Sequence, residues 1–235
     1  FSNNLLMAAA GGGVELVEVA NSGLFNSANS EYLTWTPSST GDRKTGTIHF
    51  FIDFNFTGSG QTVFQFGDHS NNSFSVFHTA TGNLRIKAET GGITDMDLKT
   101  TALYRGLGFA PVTIFWDTTP ATPGSTDCGI IVNNVQVTAF ATEIYPSQDD
   151  LMFVNHTVKH TIGASHTPGN FLDTYLAEFI NIDGTKHSSQ TTFCDVSDDG
   201  LYITPKSSDD IKDLSFGTNG FYQNYADANS VGTDA

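Results

Sequence analysis

The sequence predicts an all-β protein folded as a two-sheet antiparallel jelly-roll sandwich. Short apolar runs alternate with turns rich in Gly, Asn and Ser, and helix signals are almost absent. The chain has 235 residues with 19 Phe and 23 Gly, which suits one large β domain with an aromatic core. Roughly ten or more short strands separated by turns are typical of this architecture. An α-helical bundle is excluded by the same pattern.

The first residues predict an extended arm rather than part of the sandwich. Residues 1–13 combine an apolar centre at Leu5, Leu6 and Met7 with three consecutive glycines, and residues 14–235 form the predicted sandwich domain. The arm lacks the basic start and the apolar length of a secretory signal. We expect it to anchor the domain to a neighbouring subunit, with a frayed tail as the alternative.

The stretch TIHFFIDFNF, which begins at Thr47, predicts the first long strand because its apolar residues recur with a period of two. Ile48, Phe50 and the apolar residues that alternate after them share one face, which we expect to be buried. His49 lies on the other face, which we expect to be mostly solvated, with Phe51 as the exception.

Two hairpins are predicted in the middle of the chain. The strands at 74–77 and 84–88 flank a turn at 79–83 that contains Gly and Asn, both tolerant of positive φ. Further on, Asn133 and Asn134 separate two short apolar runs. Two adjacent Asn residues between strands favour a type I′ turn.

Three more strands are predicted from apolar runs. The run VTIFW at 112–116 has no polar alternation except Thr and predicts a central strand buried on both faces. Strands are also predicted at 160–163 and 175–182, the second ending at Asp-Gly. The best helical signal is a single turn near 188–193.

Charge and cysteine content narrow the class of protein. Lys and Arg number 10 against 25 Asp and Glu, for a net charge of -15, so we expect no nucleic-acid partner, which would need clustered cations. No apolar run reaches the roughly 18 residues that span a bilayer, so no membrane insertion is predicted. Cys128 and Cys194 are predicted to be buried thiols rather than a disulfide.

Several strings, taken in order, are similar to one family. They are TPSSTGDRKT at 36–45, VNNVQVTAF at 132–140, YPSQ at 145–148, TIGA at 161–164, FLDTYLAEF at 171–179 followed by Asp183-Gly184, FGTNGFY at 216–222, and YAD at 225–227. Together they resemble the concanavalin A-like lectin/glucanase (laminin G-like) domain of tailed-bacteriophage virion proteins. The resemblance implies a concanavalin A-like sandwich and a structural role in a virion, and it names no ligand.

Carboxylate pairs suited to glycoside hydrolysis are sparse. Retaining hydrolases need two carboxyl groups about 5–5.5 Å apart, which on one strand requires acids at alternate positions. Asp95 and Asp97 have this spacing, but they follow two glycines in a predicted loop. The Glu-x-Asp-x-x-Glu spacing of glucanases that share the resembled fold does not occur. We therefore predict a protein without enzymatic activity.

A calcium ion at the rim of the sandwich is a second implication of the resemblance, and no other cofactor is expected. Hard cations prefer carboxylate, amide and carbonyl oxygens. Asp68, Asn71, Asn72 and Asp117 are the candidate ligands. The alternative is that these acidic loops are simply solvated.

Glycan binding requires an aromatic ring for the C–H face of a sugar and short polar side chains for its hydroxyls. The predicted loops are rich in Asn, Ser and Thr. Trp35, Tyr104 and Tyr145 are the candidate aromatics, with a core position as the alternative for each.

The functional hypothesis is a virion protein of the fibre or appendage type on the exterior of a phage particle. We expect it to bind host-surface glycans without catalysis, to contact capsid or tail subunits through its arm, and to form a homo-oligomer, a trimer by preference. The negative charge suits an exterior surface better than contact with packaged DNA. The alternatives are a capsid decoration or tail adaptor protein without a ligand, and a glycan-degrading hydrolase.

Overall fold

The structure is a computed structural model that describes residues 16–17, 19–55, 58–69, 71–198 and 202–227. The predicted arm at 1–13, with Leu5, Leu6 and Met7, lies outside the described residues.

The described part of the chain is built almost entirely from short strands. The seventeen strands are β1 (Leu16–Val17), β2 (Gly23–Phe25), β3 (Leu33–Trp35), β4 (Thr45–Asp53), β5 (Gln61–His69), β6 (Asn72–His78), β7 (Leu84–Thr90), β8 (Ile93–Thr100), β9 (Phe109–Asp117), β10 (Gly129–Val132), β11 (Val135–Gln136), β12 (Phe140–Ile144), β13 (His160–Ile162), β14 (Thr174–Asp183), β15 (Cys194–Val196), β16 (Tyr202–Pro205) and β17 (Phe221–Gln223). Short 3-10 turns at Ser27–Asn29 and Gln190–Thr192 and one helix, α1 (Ser208–Lys212), accompany them. In the described residues, no helix is long and apolar enough to cross a membrane.

Two seven-stranded sheets form the sandwich. Sheet I has the order β11-β10-β9-β4-β14-β17, with β2 also paired to β14. Sheet II has the order β12-β8-β7-β6-β5-β13-β3. Every strand pair within these two sheets is antiparallel, which confirms the predicted jelly-roll sandwich. Sheet III is small, with the order β1-β16-β15 and a parallel pairing of β1 with β16.

The main core lies between sheets I and II and is rich in phenylalanine. Ile48 and Phe50 are fully buried in it, as the period of two predicted. The ring of Phe50 stacks on Phe179, with 5.7 Å between ring centroids, and Phe64 stacks on Phe74 at 6.1 Å. The predicted central strand at 112–116 is confirmed as part of β9, which is buried on both faces.

The outer face of sheet I is covered, and the predicted solvated face of the first long strand is therefore wrong. His49 and Phe51 are fully buried in a second apolar cluster. Sheet III and α1 form a C-terminal layer over this face, in which Phe193, Ile203 and Ile211 pack against it. Because apolar layers cover both faces of this strand, its residues on both faces are buried and neither face needs polar side chains.

The predicted turns and thiols are confirmed. Asn133 and Asn134 both have positive φ, 48° and 57°, as a type I′ turn requires. In the 79–83 turn, Gly82 has a φ of 101°. Cys128 and Cys194 are free and buried. The helical turn predicted near 188–193 is a 3-10 turn. The helix α1 was not predicted, although Ser207 and Asp210 have the spacing of a helix N-terminal cap.

The strand β14 contains a register irregularity between Ala177 and Ile180. Within it, Glu178 has a φ of 49°, in the left-handed region that is unusual for a residue with a side chain. Its carboxylate is buried and accepts a hydrogen bond from the hydroxyl of Tyr222. The Tyr222 hydroxyl also lies 3.2 Å from Ser208 Oγ, at the start of α1.

Candidate functional site

The outer face of sheet II presents polar side chains and one aromatic ring to solvent. Across β5, β6, β7 and β8, Thr62 pairs with Phe77, Phe77 with Arg85, and Arg85 with Lys99. Because side chains of paired residues lie on the same face, these four form one row. Phe77, Arg85 and Lys99 are partly exposed, in contrast to the buried outer face of sheet I.

A cleft of about 340 Å³ opens at one end of this row. Its lining includes Thr62, Phe77, His78, Thr79, Arg85 and Asn170. These residues come from the first part of β5, the last part of β6, the first part of β7 and the loop that precedes β14. A backbone hydrogen bond joins this loop to β5: the Thr62 amide donates to the Asn170 carbonyl over 2.9 Å.

The guanidinium of Arg85 is held in place by its neighbour on β8. Arg85 Nε donates to Asp97 Oδ1 over 2.7 Å, and Nη2 donates to Oδ2 over 2.5 Å. Hydrogen bonds to Asp97 raise the pKa of Arg85, so the side chain is a permanent cation. Bidentate pairs of this kind fix orientation as well as charge.

The loops that border the cleft are tied to each other. Arg105 Nη2 donates to the carbonyls of Gly58 and Ala80, over 3.2 and 3.0 Å. Within the 79–83 turn, the hydroxyls of Thr79 and Thr81 donate to Asn83 Oδ1 over 3.1 and 2.6 Å. The cleft therefore has a preformed border, which reduces the ordering cost of binding.

Two buried polar side chains lie in the wall of the cleft. Burial, with the nearby charge of Arg105, lowers the pKa of His78 to about 4, so its imidazole is neutral at neutral pH. The Thr62 hydroxyl is buried and has no hydrogen-bond partner among the described residues. An unpaired buried hydroxyl costs about 1–3 kcal/mol, which a water or ligand that reached it would recover.

The three predicted glycan-binding aromatics do not converge on one site. Trp35 lies on the edge strand β3, and its ring contacts Phe66 and Phe221 at centroid distances of 5.4 and 4.8 Å. Tyr145 follows β12 at the opposite edge of the same sheet and donates to Glu143 Oε1 over 3.0 Å.

Tyr104, the third of these aromatics, is not among the residues that line the cleft. Its ring is 5.5 Å from that of Phe54, which in turn is 6.0 Å from the ring of His78. Burial raises the pKa of the Tyr104 hydroxyl. Each of the three aromatics is partly buried against the main core, so none presents a fully open face.

Two of the four predicted calcium ligands, Asn72 and Asp117, are engaged with protein groups. Asn72 Oδ1 accepts the Gly91 amide over 2.7 Å. Asp117 Oδ1 accepts the amide and hydroxyl of Thr119 over 3.0 and 2.7 Å, and its Oδ2 lies 3.9 Å from Lys186 Nζ. Asn71 is exposed beside Gly92, and the side chain of Asp68 lies outside the described residues. The calcium site stays a prediction.

Asp95 and Asp97 lie in the strand β8, so their predicted position in a loop is wrong. The preceding glycines at 91–92 form only a tight turn between β7 and β8. Asp97 is buried and paired with Arg85, as described above. Burial raises the pKa of Asp95, and the charges of Asp150 and Glu89 add to the effect, against a hydrogen bond from Thr90.

Phe77 and Arg85 are the central residues of the cleft that sequence reasoning missed. The signal was present in the parity of β6: Phe74 and Val76 point into the core, so Phe77 must point out. Arg85 is the polar position between the buried Leu84 and Ile86 in the alternating strand β7. Its proximity to Phe77 depends on the β6–β7 register, which composition alone does not specify.

Comparison with known proteins identifies the fold. No protein-family model and no curated protein sequence matches the chain. Among solved structures, mouse laminin alpha1 chain domains LG4-5 match with a TM-score of 0.52 and 13% identity, over 77% of this chain and 46% of that one.

Two further structures match less well. A heptameric SAP-like pentraxin from Limulus polyphemus has a TM-score of 0.49 and 12% identity, over 71% of this chain and 76% of that one. The NanB sialidase from Streptococcus pneumoniae has a TM-score of 0.48 and 14% identity, over 86% of this chain but only 28% of its own. This chain has the lectin-like, laminin G-like jelly-roll fold, as shown by the strand order and antiparallel pairing of sheets I and II and by the match to the laminin domains.

Proposed function

We propose that this chain is a non-catalytic glycan-binding module whose site is the cleft on the outer face of sheet II. The observation that carries the proposal is the juxtaposition of the half-buried Phe77 ring with polar groups of Thr79, Arg85 and Asn170. An aromatic surface with a few convergent polar groups is what a small-ligand site requires. A sugar offers both a C–H face for the ring and hydroxyls for the polar groups.

The size and rigidity of the cleft suit a short glycan segment. Its volume of about 340 Å³ is near the lower end of the roughly 300–1,000 Å³ of ligand pockets. The fixed guanidinium of Arg85 and the tied border loops mean that little ordering accompanies binding.

The arrangement of carboxylates favours binding over hydrolysis. Both oxygens of Asp97 accept hydrogen bonds from Arg85, which leaves this group a poor nucleophile or proton donor. A hydrolase is the second candidate, because the raised pKa of Asp95 is a property that general acids share.

A glycan array followed by calorimetry tests the binding proposal. We expect wild-type protein to bind at least one glycan and Phe77→Ala to lose tenfold or more in affinity. Tyr202→Ala, at a 45%-exposed aromatic on sheet III, is the matched control and should bind like wild type. A clean negative array for wild-type protein would instead support a decoration protein without a ligand.

The proposed setting is the exterior of a bacteriophage particle, where the domain would act as a fibre or appendage. Support comes from the ordered sequence strings and from the net charge of -15. In this proposal the arm at 1–13 binds a neighbouring virion subunit and the protein is a trimer. Deletion of residues 1–13 should abolish incorporation into particles; normal occupancy of the truncated protein would remove the anchoring role.

A further inference from the structure

We propose that the cleft binds a carboxylate-bearing sugar, of the hexuronic acid class, through the guanidinium of Arg85. This inference rests on the proposed glycan-binding function and specifies its ligand. Its starting point is the charge of the cleft: the described lining residues include one cation, Arg85, and none of the chain's 25 acidic residues. The cleft lining is therefore positively charged, whereas the chain as a whole carries a net charge of -15.

The geometry of the Arg85–Asp97 pair leaves one edge of the guanidinium for a ligand. Asp97 occupies the edge formed by Nε and Nη2. A guanidinium has five N–H donors, so this pair leaves both donors of Nη1 and one of Nη2. In the described residues, no other group accepts a hydrogen bond from Arg85. The edge formed by Nη1 and Nη2 has the spacing that a second carboxylate accepts in bidentate form.

Lys99 adds a second positive charge to the row of side chains that contains Arg85. It is directly opposite Arg85 in the β7–β8 register, so the two cations share one face of the sheet. Like charges directly opposite each other destabilise a sheet. Asp97 pairs with Arg85, and the negative charge of Glu89 also acts on it. In the described part of the chain, no acidic side chain forms an ion pair with Lys99. A ligand carboxylate would relieve this repulsion.

The overall charge limits the kind of acidic ligand. A long polyanion would be repelled by the remaining surface, which carries most of the 25 acidic residues. The attraction near Arg85 and Lys99 acts within a Debye length of about 8 Å at physiological salt. The ligand we infer is therefore a glycan with a single acidic unit placed over the cleft, and its neighbouring sugars are neutral.

The test is calorimetry with two matched probes. One is a short oligosaccharide that ends in a hexuronic acid, and the other is the same oligosaccharide with the carboxyl reduced to an alcohol. We expect the acidic probe to bind at least tenfold more tightly at low salt, with the difference shrinking as salt is raised to about 0.5 M, where the Debye length falls below 5 Å. Equal affinity would overturn the inference but keep the glycan-binding function. Failure of both probes and of the glycan array would overturn the function itself.

Variants separate local charge from folding. Lys99→Gln removes a cation without touching the cleft lining and should reduce the preference for the acidic probe several-fold. Lys212→Gln, the same change on the exposed end of α1 beyond the opposite face of the sandwich, should leave the preference unchanged. Because Arg85→Gln alone would leave the buried Asp97 unpaired, the double variant Arg85→Gln/Asp97→Asn is used to remove the guanidinium. Retention of the full preference in that double variant would exclude Arg85 as the binding group.

Discussion

The carboxylate of Glu178 is the best-defined internal source of pH dependence in this fold. Burial raises its pKa to about 7 from an ordinary 4.5, although the hydrogen bond from Tyr222 acts in the opposite direction. The side chain is 5% exposed, so solvent screens its charge only weakly. Its charge also acts on two other titratable groups among the described residues, Tyr225 and Cys194.

The sign of the effect follows from proton binding. Below pH 4.5 Glu178 is protonated in both the folded and unfolded states, so its ionisation has no influence on stability. Between pH 4.5 and about 7 the folded state binds more protons, and the free energy of unfolding decreases as pH rises. Above pH 7 the full cost of a buried charge is present. At about 1.36 kcal/mol per pH unit, this cost is about 3 kcal/mol.

Glu178→Gln keeps a hydrogen-bond acceptor for Tyr222 and removes the charge. When the pH is raised from 4 to 8, we expect the free energy of unfolding of the variant to increase by about 3 kcal/mol relative to that of wild type. The measurement is urea unfolding at several pH values. The difference between the two proteins is the informative quantity, because burial also lowers the pKa of His49 to about 3 and of His160 to about 4. These histidines stabilise the protein as pH rises toward 6.5, in both proteins equally.

Glu143→Gln is the matched control, since Glu143 also accepts a hydrogen bond from a tyrosine, Tyr145, but is exposed. It controls for the loss of one negative charge from an acidic chain. If the difference in free energy of unfolding between Glu178→Gln and wild type stays constant from pH 4 to 8, burial does not raise the pKa of the Glu178 carboxyl.

Two further predictions concern the C-terminal layer and catalysis. Phe51→Ala should destabilise the protein by about 3–5 kcal/mol in urea unfolding, because the ring is fully buried under that layer. Tyr202→Ala, in the same layer but exposed, should change stability by less than about 0.5 kcal/mol; equal effects of the two substitutions would mean that the layer is not packed in solution. In a glycan-depolymerisation assay, wild-type protein and Asp95→Ala should both show only the background rate. If wild-type protein cleaves a glycan and Asp95→Ala does not, the protein is a hydrolase instead.

The alternation of residues along each strand predicts which side chains fill the main core. Ile48 and Phe50 follow this rule, and so do the two Asn residues of the β10–β11 hairpin, because strand parity and turn chemistry are local properties. The outer faces are different. Phe51 and Phe77 both break the alternation of their strands, yet one is covered by the C-terminal layer and the other lines an open cleft.

That difference depends on contacts between distant parts of the chain. The layer that covers Phe51 contains strands of two to four residues and one five-residue helix, whose patterns are too short to reveal a buried face. The cleft needs residues from β5, β6 and β7 together with Asn170, which is 93 positions beyond Phe77. The sequence therefore indicates which aromatic residues are candidates for a binding site, but it does not predict which of them are exposed.

The parallel pairing of β1 with β16 gives the domain a back and a front. This pairing places Leu16 in the layer behind sheet I. The cleft opens on the outer face of sheet II, on the other side of the main core. A larger assembly that holds the domain from behind β1 would leave the front unobstructed. Several copies attached side by side would then all point their clefts away from the support, and weak individual contacts would add through multivalency.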